Sequence, residues 1–130
     1  MSTEAFSDDF TITARRVAHD VVLVAIAGDL DFETVPRAKA FLAEATAGSP
    51  QHLILDLTAV EFMASSGLAL LVSARAGDDG IQGYLHLLGV TGNRAVHRPL
   101  AAVALLDLFD IGTNLATMLA DLDAVPTPAD

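Results

Sequence analysis

Three short segments of this chain are mostly apolar: residues 21–27 (VVLVAIA), 52–57 (HLILDL) and 84–88 (YLHLL). A strand that is apolar on both faces is typical of the inside of a sheet whose two faces are covered. Stretches with the spacing of an amphipathic helix separate the three segments. Strands that alternate with helices predict an α/β fold in which these three strands are buried neighbours with mostly parallel pairing.

Another strand-like run, residues 10–18, precedes the first of these segments, and only His19 and Asp20 separate the two. Such a short connection predicts an antiparallel hairpin. The element order is therefore strand, strand, helix, strand, helix, strand, helix, short strand and helix. This order predicts a small mixed sheet, with an opening hairpin followed by parallel strands.

Caps and glycines delimit the predicted helices. Thr34 is expected to cap the first helix, with Pro36 in its first turn and Gly48 closing it, and Gly77 ends the second helix. The apolar stripes of these two helices consist of Val35, Ala38, Leu42 and Ala45, and of Leu68, Leu71, Val72 and Ala76. The remaining elements are a helix over residues 93–103, a short strand over 108–111 and a last helix from Thr113 to residue 122.

The size and charge of the chain restrict its class. With 130 residues, of which 52% are hydrophobic, it can bury one core in a single domain. Disorder is expected at residues 1–8 and 124–130, which leaves residues 9–123 as the domain. Seven basic against seventeen acidic residues give a net charge of −10, which repels nucleic acid and anionic membranes. The charged exterior makes a monomer the expected state.

Composition also excludes several kinds of site. The chain has no cysteine, so it has neither a disulfide framework nor a thiolate zinc site. Its four histidines do not have metal-ligand spacing, so no metal or cofactor is expected; they are His19, His52, His86 and His97. The N-terminus lacks a signal-peptide pattern, and the longest uncharged run, residues 62–74, is too short to span a bilayer. A cytoplasmic location without membrane insertion is expected.

The stretch FMASSGL, residues 62–68, places two hydroxyls and a glycine among apolar residues. From spacing alone, Ser65 or Ser66 is a helix N-cap, worth ~1 kcal/mol. A catalytic serine is disfavoured because no glycine stands two positions before either serine and no histidine can be assigned as its base. No lysine accompanies Gly67, so a phosphate-binding loop is not expected. Without a nucleophile or an acid/base pair, the chain is not predicted to be an enzyme.

Covalent modification is the third interpretation of this stretch. A phosphate on a serine at a helix N-terminus meets amide N–H groups and the positive end of the helix dipole. It adds about −1.5 to −2 charges, which oppose binding if they fall in an apolar docking surface. Met63, Ala64 and Leu68 are the candidates for such a surface, and the small residues at 64–67 let a partner approach the backbone closely.

Three stretches resemble motifs of a known family, the STAS domains of anti-sigma factor antagonists. Residues 28–31 (GDLD) resemble its G-[ED]-L-D loop, residues 55–63 (LDLTAVEFM) resemble its D-L-x-x-[VL]-x-F-[MIL] strand and turn, and residues 64–68 (ASSGL) resemble D-S-[ST]-G-L. The resemblance covers about residues 10–122, and residues 93–119 are similar to the family's third helix, short strand and last helix. It implies a single domain, a small sheet with helices largely on one side.

The resemblance also implies a function. In this family the unphosphorylated antagonist binds an anti-sigma factor that is also a serine kinase, and the sigma factor is thereby released. The kinase phosphorylates one serine of the antagonist, binding is lost, and a phosphatase restores it. Carried onto this sequence, the phosphoacceptor is Ser65, Ser66 and Gly67 complete the motif, and Asp31 of the GDLD loop lies near the site.

Ala64 departs from the family pattern, which usually has aspartate before the acceptor serine. Alanine is a poor cap, and a kinase that recognises the aspartate would act slowly or not at all. Two alternatives to this function stay open, and Ala64 gives weight to the first of them. One is a STAS adaptor or scaffold that works by docking alone, such as a soluble transporter subunit. The other is a STAS domain that binds a nucleotide or small molecule, which the acidic charge and the lack of a lysine-rich phosphate loop disfavour.

Overall fold

A six-stranded sheet runs through the molecule, and its strand order follows the order of the chain. The computed structural model describes residues 2–7 and 10–122. The strands are β1 (Ser2–Ser7), β2 (Phe10–Ala18), β3 (Val21–Leu30), β4 (His52–Met63), β5 (Tyr84–Leu88) and β6 (Asp110–Gly112). The helices are α1 (Val35–Ala45), α2 (Ser65–Ala76), α3 (Arg94–Ala102) and α4 (Leu115–Asp121), and a 3-10 turn is formed by Leu106–Leu108.

The sheet is mixed, as predicted. β1, β2 and β3 pair antiparallel, whereas β3, β4, β5 and β6 pair parallel. The three segments that are apolar on both faces lie side by side as β3, β4 and β5, so their prediction as buried neighbours is confirmed. In β4 the side chains alternate between two layers of the core, with Leu53 and Leu55 in one layer and Ile54 in the other.

Three helices cover one face of the sheet and the fourth covers the other. Right-handed connections between parallel strands that advance in one direction place α1, α2 and α3 on the same face. Leu42, Leu70 and Leu100 from these helices accordingly belong to one hydrophobic cluster. On the opposite face, Met118 and Leu119 of α4 belong to a second cluster. The expectation of helices largely on one side is confirmed. Within residues 2–7 and 10–122, no helix has the length and hydropathy needed to cross a membrane.

β4 is longer than the sequence predicts. Its apolar run ends at Leu57, but the strand continues to Met63 because β3 also continues, to Leu30, and residues 59–63 pair with residues 27–30. The register shifts twice along this pair of strands, once after Ala25 and again after Gly28. The FMAS segment therefore begins at the carboxyl end of a central strand and not in a loop.

The ends of the domain also differ from the sequence prediction. Disorder is expected over residues 1–8, but Ser2–Ser7 form a strand that pairs with β2. Hydrogen bonds between backbone groups at a sheet edge require no apolar side chains, which is why composition does not reveal this strand. Residues 1 and 8, and the predicted disordered tail at 124–130, lie outside the described residues. The short strand expected at 108–111 begins two residues later, at Asp110, after the 3-10 turn.

Candidate functional site

The candidate site lies where β3 and β4 end and α2 begins. Leu30 and Met63 are paired at the carboxyl ends of the two strands. The backbone N–H of Ala64 donates to the carbonyl oxygen of Leu30 at 2.9 Å, so the first residue after β4 is still held against β3. Crevices at the carboxyl ends of parallel strands are where open α/β sheets usually bind ligands. Both motifs singled out in the sequence, GDLD and ASSGL, meet at this edge.

Gly67 allows α2 to start directly against the end of β3. A Cβ atom at this position would lie 2.9 Å from the carbonyl oxygen of Leu30 and 2.9 Å from Cγ of Met63. Such distances are too short for carbon, and the first of the two atoms belongs to the backbone and cannot turn away. The backbone of Gly67 is in an ordinary helical conformation that any residue could adopt. Glycine is therefore required here because a larger side chain has no room, and not because of its backbone conformation.

The start of α2 has no side-chain cap. Ala64 is the N-cap residue, with an extended backbone (φ −82°, ψ 174°), and no side chain of the described residues accepts a hydrogen bond from the first turn. The prediction that Ser65 or Ser66 caps the helix is therefore wrong, since Ser65 is already the first helical residue. In a run of small residues, spacing alone does not locate the last extended residue. The N–H of Gly67 is satisfied by the carbonyl oxygen of Ala64 at 3.0 Å, so the N–H groups of Ser65 and Ser66 are the ones that an anion at this helix N-terminus would meet.

The two serines have different surroundings. Ser65 is exposed, whereas Ser66 is half-buried. The Oγ atom of Ser66 is shielded from solvent and has no hydrogen-bond partner among the described residues. Only Ser65 therefore presents a hydroxyl that a modifying enzyme could reach without opening the fold.

Asp31 follows Leu30 directly, so the backbone places it beside the start of α2. Its carboxylate, however, serves its own loop: Oδ1 accepts hydrogen bonds from the N–H groups of Glu33 at 2.9 Å and Thr34 at 3.1 Å. Asp31 thus holds the turn that leads into α1. Thr34 precedes that helix as predicted but does not cap it, because its hydroxyl donates to the carbonyl oxygen of Asp29.

The surface around Ser65 differs from the one predicted. Met63 is 4% exposed and belongs to the core, so its assignment to a partner-binding surface is wrong. The reason is the extension of β4 to Met63. Successive side chains of a strand point to opposite faces, so when Met63 points inward Phe62 points outward, where it is 53% exposed. Phe32, next to Asp31, is 81% exposed. Ala64 is half-buried at the helix start.

α2 presents an uncharged face beyond Ser65. Its buried residues are Gly67, Leu70, Leu71 and Ala74. The stripe is therefore rotated from the predicted one: Leu68 is half-buried against the core, and Val72 is 39% exposed. Ser65, Ala69 and Val72 line the outer side, and the sequence has no charged residue between Glu61 and Arg75. On a chain with a net charge of −10, the outer side of this helix is thus a local surface without charge.

A second polar cluster lies at the opposite edge of the sheet, and sequence analysis missed it. Nδ1 of His52 lies 2.9 Å from Nε2 of His86, and Nδ1 of His86 bonds the carboxylate of Asp110. Burial, and then the charge of His86, lower the pKa of His52 below its ordinary value of 6.5, although Asp20 acts in the opposite direction. Within the described part of the chain, no three or more histidine and carboxylate side chains are arranged to hold a metal ion.

Comparison with known protein families gives a match over most of the chain. The family model of the STAS domain matches residues 13–118. The anti-sigma-F factor antagonist RsfB of Mycobacterium tuberculosis is 33% identical over 66 residues, which cover 51% of this chain and 53% of that protein. The chain thus spans about half the length of the curated relatives it matches.

Solved structures share the fold. The crystal structure of an anti-sigma factor antagonist from Mycobacterium paratuberculosis is 25% identical with a TM-score of 0.75, and the match covers 92% of this chain and 99% of that one. The Bacillus cell fate determinant SpoIIAA, in its phosphorylated form, is 19% identical with a TM-score of 0.61, covering 85% of this chain and 98% of that one. The second likeness, at this identity, establishes the fold alone.

Proposed function

This chain belongs to the STAS domain family, and we propose that it is an anti-sigma factor antagonist switched by phosphorylation of Ser65. The observation that carries the proposal is the exposed hydroxyl of Ser65 at a helix start that no described side chain caps, beside an uncharged surface. Similarity to RsfB and to the antagonist from Mycobacterium paratuberculosis supports the antagonist role. The proposal makes the chain a binding protein of the cytoplasm and not an enzyme.

The helix start can accept a phosphate without unfolding. A phosphoryl group on Oγ of Ser65 adds about −1.5 to −2 charges and three acceptor oxygens at the first turn of α2, next to the positive end of the helix dipole. SpoIIAA, which shares the fold, exists in a phosphorylated form. Phosphorylation is therefore expected to leave the domain intact and to act on what binds to it.

The same phosphate opposes docking. Ser65, Ala69 and Val72 line the outer side of α2, and residues 62–74 contain no cationic side chain that could pair with the phosphate. Burying an unpaired, doubly charged group under a partner costs several kcal/mol, more than a protein interface of ordinary affinity can lose. The unmodified chain binds the anti-sigma factor, and the phosphorylated chain releases it.

The proposed partners are an anti-sigma factor with serine kinase activity and a serine phosphatase. Transfer of the γ-phosphoryl group of ATP to Ser65 forms one P–O bond and breaks another, with ADP as the leaving group, so it requires a bound kinase rather than residues of this chain. The phosphatase hydrolyses the ester and restores binding. The cycle needs only that Ser65 be reachable, which its exposure provides.

One observation favours a second candidate, a STAS adaptor that docks without phosphorylation. The first turn of α2 carries no acidic residue, and its N-cap is Ala64. A kinase that reads a carboxylate next to the acceptor would find none here. In that case the same surface binds its partner permanently, as in a scaffold or a soluble transporter subunit.

The experiment that separates the two candidates compares Ser65→Ala with Ser65→Glu. We expect Ser65→Ala to bind the anti-sigma factor like the unmodified chain, and Ser65→Glu to bind at least about tenfold more weakly, with both variants folded. Affinity is measured by calorimetry, thermal melts verify the fold, and incubation with the kinase and ATP followed by mass spectrometry locates the phosphate. Equal affinities for the two variants would establish the adaptor instead.

A further inference from the structure

A groove beside the proposed docking surface carries an unusual distribution of charge. It lies between the end of β4 and the outer side of α3, has a volume of about 400 Å³ and is lined by Glu61, Phe62, Arg94, Arg98, Pro99 and Ala102 among others. Most of its wall is apolar, and two exposed arginines are among its lining residues. Phe62 lines this groove and stands only three residues before Ser65 in the chain.

The positions of the two arginines do not serve the stability of α3. Arg94 is the first residue of the helix, where the positive end of the dipole disfavours a cation. Arg98 stands four residues later, and like charges at this spacing repel. Although the chain has 17 acidic residues and 7 basic ones, no described carboxylate forms an ion pair with either arginine. Glu61 lines the same groove without pairing with them.

The groove is also held in place before anything binds. The side-chain amide of Asn93, just before α3, donates to the carbonyl oxygens of Leu57 at 2.9 Å and Val60 at 3.0 Å. Its own carbonyl oxygen accepts from the N–H of Ala95 and caps the helix. One side chain therefore fixes α3 to the free edge of β4, which keeps the two walls of the groove at a constant distance. A preformed groove loses less entropy on binding.

We propose that this groove binds an acidic, apolar segment of the protein partner, an inference that rests on the proposed function of the chain. Two exposed arginines without a described carboxylate partner, in a mostly apolar groove with an exposed phenylalanine, match the composition of binding hot spots. The chain as a whole carries a net charge of −10, so an acidic segment is favoured where the two arginines of α3 lie together. The groove then determines how the partner is oriented over Ser65.

Arg94→Glu tests this inference through two readouts. The change places a carboxylate at the positive end of the dipole and four residues before Arg98, with which it can pair, so we expect the melting temperature to rise by about 2–5 °C. Affinity for the anti-sigma factor should fall by about tenfold or more, and the loss should shrink at high salt. Arg15→Glu, the same change of charge at an exposed arginine of β2, should leave affinity within about twofold of the original.

The probe is the purified anti-sigma factor from the source genome that binds the unmodified chain, and Ser65→Glu is measured in the same series. A lower melting temperature for Arg94→Glu would show that Arg94 stabilises the fold and would overturn the inference. This measurement needs no binding partner. Unchanged affinity of Arg94→Glu, while Ser65→Glu fails to bind, overturns the groove but keeps the switch. If no anti-sigma factor binds the unmodified chain, the proposed function falls and the inference with it. Binding to duplex DNA or anionic vesicles that Arg94→Glu abolishes would assign the groove to a different class of ligand and overturn it too.

Discussion

The carbonyl oxygen of Leu30 accepts a hydrogen bond from the N–H of Ala64 at 2.9 Å, across the gap between the ends of two parallel strands. This bond holds the start of α2 over the last residue of β3. It brings the GDLD loop and the ASSGL segment, more than thirty residues apart in the chain, into one unit. The position of Ser65 is therefore fixed by backbone contacts and does not depend on any single side chain.

Substituting Gly67 should disturb this unit. Gly67→Ala places a methyl group 2.9 Å from the same carbonyl oxygen, so we expect a net loss of about 1–2 kcal/mol in the free energy of unfolding despite the better helix propensity of alanine. Gly48→Ala is the matched control, because nothing lies within 4 Å of its added methyl group. The control should be neutral or gain up to about 1 kcal/mol. Urea unfolding measures both, and equal effects would show that space at Gly67 is not limiting.

Ala64 is the position at which stability can be raised. Its extended backbone is that of an N-cap, but it has no oxygen to accept from the first turn. Ala64→Asp should therefore raise the free energy of unfolding by about 0.5–2 kcal/mol. Ala69→Asp, at an exposed position inside the same helix, should bring no gain. If the kinase that phosphorylates Ser65 recognises an aspartate before the acceptor serine, Ala64→Asp should also increase the rate of phosphoryl transfer. An unchanged rate would show that the partner of this chain does not require that aspartate.

Ser66 should be dispensable for the fold. Its buried Oγ has no partner among the described residues, so Ser66→Ala should gain up to about 1 kcal/mol instead of losing stability, the opposite of what a capping role predicts. Thr46→Val is the comparison, because the buried hydroxyl of Thr46 donates to the carbonyl oxygen of Leu42 at 2.8 Å and accepts from the N–H of Gln82. That variant should lose about 1–2 kcal/mol. Similar losses in both variants would mean that Ser66 has a bonding role in solution.

The histidine pair predicts a dependence of stability on pH. Because the pKa of His52 in the folded chain lies below 6.5, the fold favours the neutral imidazole and the unfolded chain binds more protons. The stabilising contribution is present above pH 6.5 and is lost as the pH falls through the lowered pKa. His52→Gln should therefore flatten the decrease of stability below pH 6.5, measured by urea unfolding at a series of pH values. A slope that stays unchanged in His52→Gln would contradict the prediction.

Much of the sheet could be predicted because its signal is local. Residues 21–27, 52–57 and 84–88 are apolar on both faces. This pattern is typical of central strands, so it also predicts that the three strands lie side by side. The hairpin follows from the two-residue connection at His19 and Asp20. The position of the candidate site follows as well, since the carboxyl ends of neighbouring parallel strands share one edge.

The remainder depends on long-range pairing. Nothing near Phe62 in the chain indicates that β4 continues to Met63; the continuation requires the partner strand β3, and it decides which of the two side chains is exposed. The contact between His52 and His86 likewise arises from the register of β4 and β5, and spacing along the chain does not encode it. The N-cap residue of α2 is determined by the point at which the chain leaves β4, and the amino-acid composition of this segment does not indicate that point.

The coincidence of strand order with chain order has a consequence for how the protein is made. During translation each new strand emerges next to a partner that is already complete, so the sheet can grow at one edge, from β2 and β3 towards β6. Each strand then pairs with the strand that precedes it in the chain, and the segment between them contains no more than a helix and its flanking turns. Such short sequence separations between contacting residues favour rapid folding. Among the described elements, α4 is the last to leave the ribosome, and its docking on Val21 and Ile54 covers the face that stays open until then.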